Sequence, residues 1–302
     1  MHDGPAFDVA IRTYNDPLLP RAVESAAAVP CVRRVVIVDD GSPEPVDSGR
    51  FDGLAVPVDV VRQENAGAPA ARNRAIHEAA SEWVVLLDSD DVLLPAVASA
   101  VRHASDRGAC GAVCARDFVF PGGRVDRRVV PPAAWLEGGL PDAQSVFDHR
   151  YPIFSPTGYV VSRQAGIEAG ERCDLTIHLA EDLLFSYHLR KIGPVAVFGE
   201  PTAFYTVHPS AKGNMTGRSK IEANVDDLLR LYAACYEPSG DGAWRGLLGM
   251  WFARYARYGR RGSTLARFLD IARERGWRFP VRERLRYYSR NAQRAMRLRR
   301  KT

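Results

Sequence analysis

The 302-residue chain lacks any long apolar segment. No stretch approaches the roughly 18–20 consecutive apolar residues that a membrane-spanning helix needs. The N-terminal segment MHDGPAFDVAIRTYN has no basic region followed by an apolar one, so no secretory signal is predicted. These absences favour a cytoplasmic location.

Cysteine is also scarce, and its five positions are scattered. An odd number of dispersed cysteines favours reduced thiols, as expected for a cytosolic protein. Cys110 and Cys114 have the spacing C-x3-C, but no second Cys or His pair lies near them. A zinc site is therefore not expected.

Two common nucleotide-binding signatures are missing. The segment NAGAPAARNRA (65–75) has no Lys of a Walker phosphate loop, and no G-x-G-x-x-G follows the first predicted strand. A P-loop kinase and a dinucleotide-dependent oxidoreductase are therefore disfavoured. Arg72 and Asn73, at the start of a predicted helix, can still approach a diphosphate. The alternative for Arg72 is a surface or interface ion pair.

Positive charge is concentrated at one end of the chain. Residues 241–302 hold 18 Lys and Arg against 4 Asp and Glu, a net charge of +14, whereas the whole chain carries +5 and the first 240 residues −9. This asymmetry predicts two parts. They are a main domain over residues 1–215 and a basic helical C-terminal extension over residues 216–302.

The first 120 residues alternate between strand and helix patterns. Strands are predicted at 7–14, 34–38, 56–63, 83–88 and 109–120, and helices at 18–29, 65–80 and 95–105. Such alternation is typical of an α/β fold with a parallel sheet covered on both faces, which binds ligands at the carboxyl ends of its strands. Further on, the pattern indicates strands at 152–163, 194–199 and 202–208, a helix at 180–193, and helices from about 216.

Three carboxylates interrupt apolar sequence in VVLLDSDDVLLP (84–95), namely Asp88, Asp90 and Asp91. Burying or crowding ionised carboxylates costs several kcal/mol unless positive charge lies among them. One interpretation is a cluster that caps the following helix. The other is that Asp88 and Asp90 share a loop because a hard divalent cation binds there together with substrate phosphates.

Other acids, and one histidine, have two interpretations each. In VVIVDDGS (35–42), Asp39 and Asp40 either cap a turn or offer a carboxylate to a base N–H or a ribose hydroxyl. Asp182, in AED (180–182), is either a helix cap or a general base. His208 is either a structural histidine or a metal ligand whose partners come from elsewhere in the chain.

Six segments, in this order and spacing, resemble the inverting family 2 glycosyltransferases with the GT-A fold. They are VAIRTYND, VVIVDDGS, NAGAPAARNRA, VVLLDSDDVLLP, AEDLLFSYHLRKIG and YTVHPSA, and together they cover about residues 7–212. The resemblance implies a mixed, mostly parallel sheet between helices. It also implies an inverting hexosyl- or N-acetylhexosaminyl-transferase that moves a sugar from a nucleotide-diphospho-sugar, expected to be UDP-linked, to an acceptor hydroxyl or amine.

The resemblance assigns most of the site to the donor nucleotide. By it, Asp40 is similar to the acid that recognises the base, and Asp88 lies near the ribose. The other nucleotide- or substrate-binding positions within these segments are Thr13, Tyr14, Asn15, Gly67, Arg72, Ser89 and Glu181.

The resemblance also implies a divalent metal, Mn2+ or Mg2+, and a catalytic base. Asp90 looks like the carboxylate on the metal, His208 like the histidine that approaches the metal and the diphosphate, and Asp182 like the base. Arg12 departs from the pattern, because family members often have Pro there. It either adds a phosphate contact or pairs with an acid.

Two other functions are weighed against this one. A sugar-phosphate nucleotidyltransferase would show a Gly-rich loop with Arg or Lys after the first strand, and IRTYNDP does not supply one. A binding module without activity is disfavoured by the intact set of Asp40, Asp90, Asp182 and His208. The acceptor stays open between a polysaccharide, a lipid-linked sugar and a small secondary metabolite.

The basic extension has a favoured and a second interpretation. In the first, its aromatic side chains pack on the main domain and its arginines face solvent. In the second, it contacts an anionic membrane surface at the inner face of the membrane. No RNA-binding signature accompanies the charge, so nucleic acid is not an expected partner.

Overall fold

The computed structural model of the chain describes residues 4–129, 131–143, 146, 156–178, 180–208, 227, 230–231 and 234–235. Within these residues nine strands join in one sheet, with helices packed against both faces. The helices predicted from residue 216 onward lie outside the described residues, apart from five helical positions between 227 and 235. No helix in the described part is long and apolar enough to cross a bilayer.

The chain alternates strand and helix in its first half, as predicted. The elements are β1 (Phe7–Thr13), α1 (Leu19–Ala27), β2 (Val32–Asp39), a short 3-10 helix (Ser48–Phe51), β3 (Val58–Arg62), α2 (Ala68–Glu78), β4 (Trp83–Asp88), β5 (Val92–Leu93), α3 (Val97–Asp106) and β6 (Gly111–Phe120). The second half follows with β7 (Arg124–Val129), α4 (Ala133–Gly138), β8 (Tyr159–Ser162), α5 (Arg163–Glu171), α6 (Glu181–Ile192) and β9 (Val195–Thr206).

The sheet is mixed, with strand order β3-β2-β1-β4-β8-β6-β9-β5 and with β7 paired to β6. Strands β3, β2, β1 and β4 are parallel, so their carboxyl ends meet at one edge. The register places Thr13 opposite Asp39 and Arg12 opposite Asp88 at that edge. Strand β8 is antiparallel to both β4 and β6, and the pair β5–β9 returns the end of β9 to the loop after β4.

The core consists of two apolar layers, one on each face of the sheet. Because side chains alternate along a strand, Phe7, Val9 and Ile11 of β1 face one layer and Ala10 the other. The first layer is closed by α1 and α3, and the second by α2, α5 and α6. The buried strands are rich in Val, Ile and Leu, as parallel strands covered on both faces require.

Five elements of the second half differ from the sequence prediction. The strand predicted at 152–163 begins at Tyr159 within the described residues, and helix α5 follows it directly. The glycines of α5 obscured the helix pattern, but they allow close packing, since a Cβ at Gly170 would lie 2.7 Å from the Asn73 side chain. The two short strands predicted at 194–208 are one strand, β9. Strand β7 and helix α4 were not predicted.

Residues of the C-terminal extension contribute to the core of the main domain. Leu231 and Cys235 are 0% and 2% exposed and belong to the layer that contains α2 and α6. Arg230 reaches the loop before α6, where it donates to Thr176 and lies 3.7 Å from Asp174. The predicted boundary at residue 215 therefore separates sequence regions that pack together.

We expect Leu231→Ala to lower the free energy of unfolding by about 2–5 kcal/mol, the usual cost of emptying a fully buried leucine site. The measurement is urea denaturation of the full chain. Leu175→Ala is the matched control, because Leu175 is 40% exposed and should change the free energy of unfolding by about 0.5 kcal/mol or less. Equal effects of the two substitutions would contradict the packing of the extension on the domain.

Candidate functional site at the carboxyl edge of the sheet

Asp39 stabilises the turn that leaves β2. Its carboxylate accepts hydrogen bonds from the backbone N–H of Ser42 (2.9 Å) and Val46 (3.3 Å) and pairs with Arg62 at 2.8 Å. Burial alone would raise the pKa of Asp39, but these partners lower it below its ordinary value. For Asp39, the structure thus shows the capped turn that the sequence allowed.

Asp40 instead organises the loop that leads into α2. Its carboxylate accepts hydrogen bonds from the Gln63 side chain (2.8 Å) and from the backbone N–H of Ala66 (2.8 Å) and Gly67 (2.9 Å). Gly67 has φ +89°, and a Cβ there would lie 3.1 Å from the His178 ring, so glycine fits both the backbone and the space. The predicted contact of Asp40 with a base stays a prediction.

The residues after β1 lie beside this turn. Thr13 is buried, and its hydroxyl has no hydrogen-bond partner among the described residues. Asn15 adopts a left-handed conformation with φ +48°, and its backbone N–H donates to the Ser42 hydroxyl at 2.8 Å. Tyr14, the residue after β1, is 53% exposed, so its ring is accessible to a ligand.

The acids after β4 do not cap the next helix. Helix α3 begins at Val97, its N-cap residue is Ala96, and no side chain caps it. Asp91 is fully buried and accepts hydrogen bonds from the Thr157 hydroxyl (2.6 Å) and from the backbone N–H of Thr206 (2.7 Å). Asp91 is therefore a buried hydrogen-bond acceptor of the loop after β4.

Ser89 is hydrogen-bonded to Asp16, a residue for which no role was predicted from the sequence. The Ser89 hydroxyl donates to Asp16 at 2.7 Å, and the other oxygen of Asp16 accepts the backbone N–H of Leu18 at 2.9 Å. The signal for Asp16 was present in the turn sequence YNDP, where an Asp before Pro commonly bonds the backbone two residues on.

Asp90 and His208 are brought together across 118 residues of sequence. The imidazole Nε2 of His208 lies 2.7 Å from Asp90 Oδ2, and both side chains are about a third exposed or less. The backbone carbonyl of Asp90 accepts hydrogen bonds from the Thr206 hydroxyl and from Arg21, each at 2.6 Å. The end of β9 therefore positions both residues.

The crowding of the acids raises the pKa of two of them. Burial, and then the charge of Asp88, raise the pKa of Asp90, although His208 opposes this shift. Burial and the charges of Asp90 and Asp88 raise the pKa of Asp91 well above its ordinary value. In the described part of the chain, no cluster of three or more His, Cys, Asp or Glu side chains could hold a metal ion by itself.

Glu181 is the buried centre of an ion-pair network whose outer members, Arg12 and Asp88, are partly exposed. One carboxylate oxygen accepts Arg12 Nη1 at 2.7 Å, and the other accepts Arg72 Nη1. Arg12 also donates from Nε to Asp88 at 2.9 Å, and Arg72 stacks over the Phe185 ring at 4.3 Å. We call the residues Arg12, Arg72, Asp88 and Glu181 the four-charge network.

Both Arg12 and Arg72 form ion pairs in this network, which was one of the two interpretations of each residue from the sequence. Arg72 is only 3% exposed, so its ion pair is buried rather than at the surface. Its neighbour Asn73 donates to the carbonyl of Gly170 at 3.0 Å, at the contact between α2 and α5. The predicted contacts of Arg72 and Glu181 with substrate stay predictions.

Asp182 follows Glu181 in the first turn of α6. The helix enters from Ala180, an N-cap residue in the left-handed region with φ +59° and without a capping side chain. Asp182 is half-buried, and its Oδ1 accepts the backbone N–H of Leu183 at 3.0 Å. Because Glu181 is adjacent, the network that anchors Glu181 also fixes where the Asp182 side chain begins.

Comparison with known proteins identifies a family. The family model described as "Glycosyl transferase family 2" matches residues 8–166. Among curated proteins of Rhizobium meliloti (strain 1021), the chain is 30% identical over 223 residues to "Succinoglycan biosynthesis protein ExoO", covering 68% of this chain. It is 42% identical over 81 residues to "Succinoglycan biosynthesis protein ExoU", covering 26% of this chain. The matches span 61% and 23% of the lengths of those two relatives.

Solved structures with a similar fold include S. aureus TarS 1–349. The crystal structure of that protein in complex with UDP gives a TM-score of 0.60 at 18% identity, covering 84% of this chain and 73% of that one. The structure in complex with UDP-GlcNAc gives 0.58 at 17% identity, covering 84% and 74%. The GT-A fold expected from the sequence is confirmed. Sequence identities this low support a shared fold and no further shared property.

We expect the free energy of unfolding to fall in acid, because Glu181 becomes protonated. Burial alone would raise the pKa of Glu181, but Arg72 and Arg12 lower it from 4.5 to about 2. A lowered folded-state pKa stabilises the fold above pH 4.5, and this stability is lost as the pH falls toward 2, by about 3 kcal/mol at most. Unfolding free energies measured by urea denaturation from pH 7 to pH 3 should show this loss, and Glu181→Gln should flatten it.

The control for this prediction is an exposed ion pair. Glu168 pairs with Arg172 one helical turn away, and both side chains are 40% or more exposed. Glu168→Gln should change the unfolding free energy by about 1 kcal/mol or less, whereas Glu181→Gln should cost about 3–5 kcal/mol near pH 7 because two arginines lose their shared partner. A wild-type pH profile that Glu181→Gln leaves unchanged would contradict the assignment.

Proposed function

The chain belongs to glycosyltransferase family 2, and on that premise we propose that it transfers a sugar from a UDP-linked donor to an acceptor with inversion at the anomeric carbon. The observation that carries the proposal is the convergence of Asp40, Asp88, Asp90, Asp182 and His208 at the carboxyl edge of one sheet. Ligands of open α/β sheets bind at this edge. The UDP and UDP-GlcNAc complexes of TarS support a UDP-linked hexose or N-acetylhexosamine as donor.

The donor nucleotide is proposed to lie over the turns after β1 and β2. The hydroxyl of buried Thr13 has no hydrogen-bond partner within the described part of the chain, so it can donate to or accept from a ligand. The exposed ring of Tyr14 offers a face on which a base can stack. Asp40 accepts three hydrogen bonds, and its remaining lone pairs can accept a base N–H. Asp88 lies at the end of β4, where it can accept a hydrogen bond from a ribose hydroxyl.

The residues present fit a divalent cation that is completed by the donor. Asp90 and His208 supply one carboxylate and one imidazole 2.7 Å apart, and Mg2+ or Mn2+ commonly takes few protein ligands and fills its remaining positions with phosphate oxygens and water. Burial first, and then the negative charges of Asp88 and Asp16, raise the pKa of Asp90, and a bound cation would offset those charges. When bound, the cation would neutralise negative charge on the leaving diphosphate.

Asp182 is proposed to be the general base. Its carboxylate takes the proton from the acceptor hydroxyl or amine while that oxygen or nitrogen bonds to the anomeric carbon. The bond between the anomeric carbon and the diphosphate oxygen breaks in the same displacement, and the nucleoside diphosphate leaves with the electron pair. Attack from the face opposite the leaving group inverts the configuration, so no enzyme nucleophile is required.

The acceptor is proposed to be a saccharide hydroxyl. The names of the two curated relatives refer to succinoglycan biosynthesis, which favours a growing polysaccharide or a lipid-linked sugar over a small metabolite. A cytoplasmic location, with peripheral contact at the inner face of the membrane through the basic extension, remains the expectation from the sequence.

We expect Asp182→Asn to bind UDP as the wild type does but to lose transfer by about 10²-fold or more, because only the proton acceptor is removed. Nucleotide release from a panel of sugar nucleotides, with each acceptor class in turn, measures transfer, and calorimetry measures UDP binding. Asp47→Asn is the control, since Asp47 caps the short 3-10 helix between β2 and β3. Transfer by Asp182→Asn at the wild-type rate would show that another group is the base.

We expect UDP to bind more tightly with Mn2+ than with chelator, and Asp90→Asn to remove most of that difference. The physical reason is that the cation joins the diphosphate to Asp90 and His208, so its loss leaves like charges facing each other. Calorimetric titration of UDP with Mn2+, Mg2+ or EDTA measures this. Equal affinities under all three conditions in the wild type would overturn the metal part of the proposal.

A further inference from the structure

Arg12 joins two carboxylates that come from different parts of the fold. At the end of β1, its Nε donates to Asp88 at the end of β4 (2.9 Å), and its Nη1 donates to Glu181 at the start of α6 (2.7 Å). Nη1 also lies 3.3 Å from the carbonyl of Ala68, at the start of α2. One guanidinium thus connects three elements that border the candidate site.

We infer that Arg12 is a positioning residue. It holds the first turn of α6, which carries Asp182, in a fixed position relative to Asp88, the carboxylate proposed to lie near the donor ribose. The inference rests on the proposed role of Asp182 as the base. It assigns Arg12 no contact with substrate: Arg12 acts through Glu181, the residue next to Asp182, and through Asp88.

Charge balance alone does not explain Arg12. Glu181 already has a buried cationic partner in Arg72, whose side chain is 2% exposed and stacks on Phe185. Removing Arg12 would therefore leave Glu181 with a partner. What Arg72 does not supply is the connection to Asp88, because that bond belongs to Arg12.

The guanidinium geometry makes this connection rigid. Its donors point in fixed directions within one plane, so two carboxylates bound to the same group have a fixed separation and orientation. An ammonium on a flexible stem would hold one carboxylate at a time with the same charge. Misplacement of a reacting group by about 1 Å can cost roughly 10²-fold in rate, so such rigidity bears on turnover.

The entry into α6 explains why an anchor is needed at Glu181. Ala180 has φ +59°, in the left-handed region that is strained for a residue other than glycine. This turn sets the direction of the helix and persists only if neighbouring contacts hold it. The contacts of Glu181 with Arg12 and Arg72 immediately follow it.

The test compares Arg12→Met with Arg34→Met. Arg34 is a close match, since it also joins two carboxylates, Asp59 (2.7 Å) and Asp8 (3.4 Å), and also donates to a backbone carbonyl, that of Glu78 (3.0 Å). Asp8 lies near the start of β1 and Arg12 near its end, so Arg34 lies at the opposite edge of the sheet. Both arginines are partly buried, with side chains 18% and 25% exposed.

Turnover is measured as UDP release from the UDP-linked sugar that the wild type uses best, with water as the acceptor, and binding is measured with UDP and Mn2+. Arg12→Met should lower kcat by roughly 10–100-fold and change the Kd of UDP by about threefold or less. Arg34→Met should lower the melting temperature without lowering kcat. A loss of UDP affinity with unchanged kcat would make Arg12 a donor-binding group and overturn the inference.

Two further variants separate positioning from stability. Arg12→Lys keeps the charge without the planar fork, so it should recover most of the melting temperature of the wild type but little of its kcat. Arg12→Met combined with Asp182→Asn should be no slower than Asp182→Asn alone, because a residue that acts through the base has no further effect once the base is absent. Full recovery of kcat by Lys, or additive losses in the double variant, would each overturn the inference.

The outcome is distinguishable from failure of the proposed function. If the wild type released no nucleotide from any sugar nucleotide, the proposed function would be wrong. If the wild type were active and Asp182→Asn equally active, the base assignment would fall. A wild type that depends on Asp182 but not on Arg12 overturns the positioning role alone.

Discussion

The shared ion pair of Glu181 with Arg12 and Arg72 is the interaction on which the arrangement of the site depends. It connects β1, α2 and α6, and through Arg12 it reaches Asp88 at the end of β4. Two guanidinium groups and two carboxylates balance in charge. This balance matters because a buried charge without a partner costs several kcal/mol. Loss of one member would therefore disturb the other three as well as the local packing.

The remaining acids at this edge are compensated in different ways. Asp39 has Arg62 and two backbone N–H groups, Asp40 has the N–H groups of the loop before α2, and Asp91 has Thr157 and the backbone of Thr206. Asp90 differs, because its carboxylate lies beside the His208 imidazole, a group that can itself bind a metal ion. Crowded carboxylates favour a cation. An added cation beside Asp90 would offset the negative charge of Asp88 and Asp16 there.

The C-terminal extension and the loop before α6 form a second support for the site. Arg230 bonds Thr176 and Asp227, and the Asp227 carboxylate accepts the backbone N–H of His178 at 2.9 Å. That loop leads directly into Ala180 and Glu181, and His178 packs over Gly67 at the start of α2. Residues far along the sequence therefore fix the loop on one side of Asp182, while the four-charge network fixes the helix on the other.

The sequence by itself determined the local elements and the acids at their ends. Runs such as RVVIV and WVVLL are buried strands because β-branched and apolar residues fit a sheet covered on both faces, and parallel strands necessarily bring Asp39, Asp40 and Asp88 to one edge. Helix α5 escaped prediction because its glycines serve packing against α2 rather than helix propensity.

Only the tertiary structure decided which partner each charge takes. Arg12 meets Glu181 across 169 residues, and His208 meets Asp90 across 118. Local spacing carries no information on such pairs, since they follow from the strand order, which inserts antiparallel β8 beside β4 and returns β9 to β5. The motifs thus specified the chemistry available at the edge, and the topology assigned Glu181 to two arginines and left Asp90 beside a histidine.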